Sequence, residues 1–112
     1  MNVSFEEIGS LQVTFPAGTC ADSKLCKLNV SGKADLCADG DRFCGLVRGI
    51  RGSAAGVQIH GFVTVPYTGS APKCGYSKLS ANAAGGVKAD ESGTAYLVAA
   101  VNTSGKTVTF EL

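Results

Sequence analysis

Five cysteines and one histidine have the most chemical reach in this chain. Cys20, Cys26, Cys37, Cys44 and Cys74 are candidate nucleophiles, metal ligands or disulfide partners, and His60 is a candidate general base. Zinc sites usually draw two ligands from one tight turn, and no two cysteines here form a C-x-x-C pair. With a single imidazole to complete such a site, the spacing predicts no metal. A thiolate nucleophile needs a neighbour that lowers its pKa. Cys44 has Arg42 and Arg48 near it in sequence, which alone does not make it reactive. His60 sits mid-strand on one face with Gln58 and Phe62, with no local nucleophile and no orienting acid. The cysteines therefore read as small apolar side chains in a reduced compartment, not as a disulfide framework.

The acidic pairs carry no more. Glu6 and Glu7 are adjacent, so on a strand they point to opposite faces. Asp39 and Asp41 flank Gly40 in a polar turn, too few oxygens for a calcium loop. Asp90-Glu91 has the same character. Gly45, Gly49 and Gly52 are followed by β-type residues, whereas a dinucleotide loop opens a helix. The G-x-x-G of an RNA-binding KH loop likewise joins two helices, which are missing here. No phosphate loop and no organic cofactor are expected.

Composition narrows the class. The chain has 112 residues with 10 Lys+Arg against 9 Asp+Glu, a net charge of +1. That is one domain's length. The balance argues against a nucleic-acid binder, which needs a basic face for phosphates. Basic residues concentrate from Lys24 to Arg51, but Asp22, Asp35, Asp39 and Asp41 interleave with them and predict a solvated mixed face. No apolar run approaches the ~18 residues of a membrane span. The acidic start, Glu6-Glu7, is unlike a secretory signal, so synthesis in the cytoplasm is expected.

The elements that position these residues are strands. Val57, Ile59, Gly61, Val63 and Val65 alternate with Gln58, His60, Phe62 and Thr64, which is strand spacing with an apolar odd-numbered face. Val108, Phe110 and Leu112 repeat the pattern. Further strands are expected at 11–15, 25–30, 34–37, 43–50, 75–79, 86–88 and 95–101. Turn signals such as Ser31-Gly32, Thr68-Gly69-Ser70 and Ser92-Gly93 separate them every eight to fifteen residues. No window carries an amphipathic helix; residues 81–84 and 18–23 are the only candidates for a single turn. The reading is an all-β small barrel of seven to nine strands with little or no helix, a single domain over 11–112. Residues 1–10 read as an N-terminal arm or an edge strand.

One longer pattern is more specific than its parts. Gly40-Asp41-Arg42-Phe43-Cys44-Gly45-Leu46-Val47 precedes Val57-Gln58-Ile59-His60-Gly61-Phe62-Val63-Thr64-Val65-Pro66-Tyr67-Thr68-Gly69. Gly75-Tyr76-Ser77-Lys78-Leu79, Gly85-Gly86-Val87-Lys88, Tyr96-Leu97-Val98-Ala99-Ala100-Val101 and Thr107-Val108-Thr109-Phe110 follow. In order and spacing this resembles the head decoration (capsid cement) proteins of tailed bacteriophages, over about two thirds of the chain. The start, from Val3-Ser4-Phe5 to Thr14-Phe15, also fits. The cysteines are not part of the pattern.

The resemblance implies a β-barrel or β-tulip fold with no catalytic residues. It implies a structural protein on the outer surface of the virion's icosahedral head, bound to the major capsid protein, with a trimer favoured. Neither nucleic acid nor membrane is an expected partner. An arm can attach by adding a strand to a foreign sheet edge. Val3, Phe5 and Ile8 in the first segment, and Arg48 and Arg51 in the loops around 48–53, are the candidate contacts with the capsid or a neighbouring copy. The alternative reading is a β-domain that binds carbohydrate or protein at a virion or host surface. It predicts an exposed aromatic platform, and the chain contains no Trp. A cysteine hydrolase using Cys44 and His60 is the third and weakest reading.

Overall fold

The computed structural model describes residues 10–112. Val3, Phe5 and Ile8 lie outside the described residues, as does nearly all of the expected arm. Among the described residues there are ten strands and no helix: β1 (Leu11–Pro16), β2 (Leu25–Leu28), β3 (Ala34–Leu36), β4 (Gly45–Arg51), β5 (Ala54–His60), β6 (Phe62–Thr68), β7 (Gly75–Ala81), β8 (Val87–Ala89), β9 (Thr94–Asn102) and β10 (Thr107–Glu111). The single turns of helix considered at 18–23 and 81–84 do not form; those residues lie in loops and at the end of β7.

The strands make two sheets. Five of them close a barrel in the order β10-β6-β8-β7-β9, with β6 and β8 parallel and the other neighbours antiparallel. The other five form a sheet in the order β1-β5-β4-β2-β3. This second sheet curls: just past β1, Ala17 bridges Ala34 of β3, and the Gly18 N–H donates to the Ala34 carbonyl at 2.9 Å. Closure and curling both reduce the length of open edge that invites pairing with other chains.

Each sheet has its own core. Val63, Val65, Tyr67, Leu79, Val87, Val98, Val108 and Phe110 fill the barrel, joined by Leu25, Cys37, Phe43 and Leu46 from outside its strands. Cys26, Ala34, Val47, Ala55 and Val57 fill the curled sheet. Backbone bonds fasten the two together. Leu25 N–H donates to Gly85 O at 3.0 Å, Gly40 N–H to Ala81 O at 2.8 Å, and Ala81 N–H to Asp41 O at 2.9 Å.

The long alternating run from Val57 to Val65 is not one strand. It breaks at Gly61, where φ is +98° and the chain crosses from the curled sheet into the barrel. The odd-numbered residues do point inward, but Val57 packs in one core and Val63 and Val65 in the other. A Cβ at Gly61 would stand 2.8 Å from the Ser10 Cα. Glycine alone satisfies both the positive φ and that close approach.

Candidate functional site

One cleft is built where the two sheets meet. It has a volume of about 480 Å³ and is lined by Lys27 and Leu28 of β2, by Arg42, Phe43 and Cys44 ahead of β4, and by Ile59 and His60 at the end of β5. Tyr96 of β9 and Leu112 close it from the barrel side. Its aromatic wall is rigid: the Phe43 and Tyr96 rings stack with centroids 5.0 Å apart, and Phe110 packs against both.

Electrostatics at the cleft are mostly internally matched. Lys27 Nζ donates to Asp41 Oδ2 at 2.6 Å, and this pairing raises the lysine pKa and lowers that of the carboxyl. Burial raises the Tyr96 phenol, opposed by a hydrogen bond with Arg42. A second pair, Lys88 Nζ to Asp39 Oδ2 at 2.8 Å, spans from barrel to loop. Charges of both signs share one surface here, as the interleaved sequence predicts.

Cys44 and His60 line the same cleft, yet no Asp or Glu side chain among the described residues lines it to orient the imidazole. The geometry does not assemble a hydrolytic triad. What acts on Cys44 is another cysteine. The Cys26 thiol hydrogen-bonds the Cys44 sulfur, and this pushes the Cys44 thiol down to about 7, against the opposing effect of burial. The same bond and burial raise the Cys26 thiol. Cys26 is fully buried and Cys44 half-buried. Burial pushes the Cys37 thiol up to about 11, while Cys74 is exposed. Among the described residues, no group of three or more His, Cys, Asp or Glu side chains is placed to hold a metal.

The two arginines ahead of and behind Cys44 in sequence do different work. Arg42 meets the Tyr96 phenol. Arg48 is the extra residue of a bulge, since Val47 pairs with Val57 and Gly49 with Gly56. A bulge re-aims the side chain it carries. Arg48 Nε donates to Gln58 Oε1 at 2.8 Å. Arg51 is exposed at the end of β4, before the turn at Gly52. The sequence places Gln58 on the mixed face of its strand, whereas the structure buries it. Its Nε2 donates to the carbonyls of His60 (3.0 Å) and Phe62 (3.3 Å), one on each side of Gly61.

A second cleft, about 430 Å³, lies in the barrel between the loop at 70–73 and the residues around Asp90. Lys73, Lys78, Asp90 and Glu91 give it mixed charge. Asp90 is held ionised by the Ser80 hydroxyl and the Ser92 N–H, a structural use of a carboxylate. Among the described residues Tyr76 is the one fully exposed aromatic, at 79%. Compared with protein-family models, with curated proteins and with solved structures, the chain matches none.

Proposed function

We propose that this protein is a non-enzymatic decoration protein of a tailed-phage head, binding the outer surface of the capsid and reinforcing contacts between major capsid subunits. The observation that carries the reading is where the resembling segments fall. The runs from Gly40-Asp41 to Thr107-Val108-Thr109-Phe110 each overlap one or more of β4 to β10, so the motif order follows the order of the barrel strands and the strands leading into them. The support is motif order and placement; the family comparisons add none.

The physical design is compatible. A cement protein must be stiff, and two cores fastened by backbone bonds supply stiffness. Net charge near zero lets many copies crowd on one shell with little mutual repulsion. Repetition over a symmetric lattice turns weak contacts into strong attachment. Arg48 and Arg51, both exposed on β4, remain the described candidates for contact, with Val3, Phe5 and Ile8 in the segment ahead of β1. The alternative, a carbohydrate- or protein-binding module, calls for an aromatic platform, and a single exposed tyrosine does not make one.

The test is reconstitution. Expanded heads of the phage that encodes this chain, assembled without it, are mixed with purified protein and pelleted. Saturable co-sedimentation that raises the melting temperature of the heads is expected. No binding to heads of that phage would overturn the reading.

A further inference from the structure

We propose that Cys44 and Cys26 form a dithiol site that exchanges with small disulfides of the oxidised-glutathione class and closes to an internal disulfide. The backbone argues for it first. Gly45 pairs with Cys26 in the ladder between β2 and β4, and the N–H of the preceding Cys44 donates to the same Cys26 carbonyl at 2.8 Å. Two residues of one strand thus oppose one of the other, which is a bulge. It brings Cys44 beside Cys26 rather than across the sheet from it, and both side chains belong to the core of the curled sheet. Residues paired across antiparallel strands lie roughly 4.5–5.5 Å apart at Cα, within a disulfide's span, and Cys44 is the chain neighbour of the residue so paired with Cys26.

Access argues second. Cys26 has no exposed surface, so a soluble disulfide cannot reach it directly. Cys44 opens into the cleft, whose rim carries Lys27, Arg42 and His60. The Arg42 guanidinium on that rim suits a disulfide that bears carboxylates, as oxidised glutathione does. The hydrogen bond from Cys26 favours the thiolate on Cys44, the form that attacks.

The steps balance. Cys44 gives its proton to water and its thiolate attacks one sulfur of the disulfide RSSR, forming Cys44–S–SR and releasing RS⁻. The released thiolate takes the Cys26 proton. The Cys26 thiolate then attacks the Cys44 sulfur, forms the internal bond and expels the second RS⁻, which is protonated by water. Two protein thiols are oxidised and one RSSR is reduced to two RSH. The small disulfide is the oxidant throughout.

The experiment uses the full chain with Cys74→Ser, which removes the exposed competing thiol. It is incubated with oxidised glutathione at pH 8 and analysed by intact mass and peptide mapping. The expected product has lost two hydrogens, maps to a Cys26–Cys44 cross-link and reverts with dithiothreitol. Adding Cys26→Ser should arrest the reaction with one glutathione on Cys44. Adding Cys44→Ser should protect Cys26 entirely. A cross-link through Cys20 or Cys37 instead, no cross-link at all, or glutathione on Cys26 in the Cys44→Ser chain would each overturn the proposal. The cross-link in the chain with Cys26 and Cys44 intact decides the matter even if a serine variant fails to fold.

Discussion

Nε of Arg48 donates to Oε1 of Gln58 across 2.8 Å, joining an exposed bulge residue to a buried amide. Through its other end Gln58 holds the carbonyls of His60 and Phe62, on either side of the point where the chain passes between sheets. This side chain is therefore a clamp on the junction, and Arg48 completes its bonding. The two arms of the clamp differ in exposure, and their deletion has unequal effects.

Arg48→Ala should destabilise the fold by about 1 kcal/mol, because water can reach the vacated site and partly replace the guanidinium. Gln58→Ala should cost roughly 2–4 kcal/mol, since two backbone carbonyls lose their donor and a cavity opens. Chemical denaturation of both variants measures the difference. Equal losses would show that the two residues do not form the hierarchy described.

Gly61→Ala should be destabilising by about 2 kcal/mol or more. The residue has φ of +98°, and the new Cβ meets backbone at Ser10, which is not free to rotate away. Val63→Asp places an unpaired charge in the barrel core, where Val63 has no exposed surface, and should abolish stable folding. Thermal melts of the two variants test both halves of the junction. A native melting temperature in Val63→Asp would contradict the inward face of β6.

Much of this architecture is legible in the sequence. The expected segments at 11–15, 25–30, 34–37, 43–50, 75–79, 86–88 and 95–101 correspond to β1–β4 and β7–β9, because period two and glycine-bearing turns are local signals. The split at Gly61 is not legible, since alternation continues unbroken across it and only the positive φ ends the strand. Two sheets emerge where a single barrel was expected, for the same reason. The burial of Gln58 is hidden because its stabilising partners, Arg48 and two carbonyls, are assembled by a bulge and a sheet crossing. The Cys26–Cys44 pair escapes spacing rules altogether. Cys26 lies on β2 and Cys44 just ahead of β4, 18 positions apart, and the bulge that joins them leaves no motif.

Acid should destabilise the protein in a defined window. The carboxyls of Asp35, Asp41 and Asp90 are held below the ordinary range, by the Thr19 N–H, by Lys27 and by the Ser80 hydroxyl respectively. A carboxyl lowered by folding contributes stability above its unfolded pKa, near ~4, and loses it as pH falls through the folded value. Lys27 and Lys88 are raised, so their contribution is present below about 10.4 and lost as pH rises through their folded values. Denaturation midpoints should therefore fall from about pH 4 downward, and Asp41→Asn should flatten that limb. An acid limb unchanged by Asp41→Asn would contradict the assignment.

Deletion of residues 2–8 separates attachment from folding. The segment leads into β1, an edge of the curled sheet, whose two neighbouring elements in the fold are β5 and the Ala17–Ala34 bridge. If the segment is an attaching arm, the truncated protein keeps a near-native melting temperature and loses occupancy on capsids. Unfolding would make the segment part of the core. Full occupancy would shift attention to Arg48 and Arg51.

The most direct measurement is a pair of icosahedral electron-microscopy reconstructions, of virions assembled with this chain and of virions assembled without it. The account predicts density of the barrel-and-sheet shape on the outer face of the head, at three-fold or quasi-three-fold positions, absent from the second map. Identical head surfaces in the two maps, with the protein expressed, would contradict it.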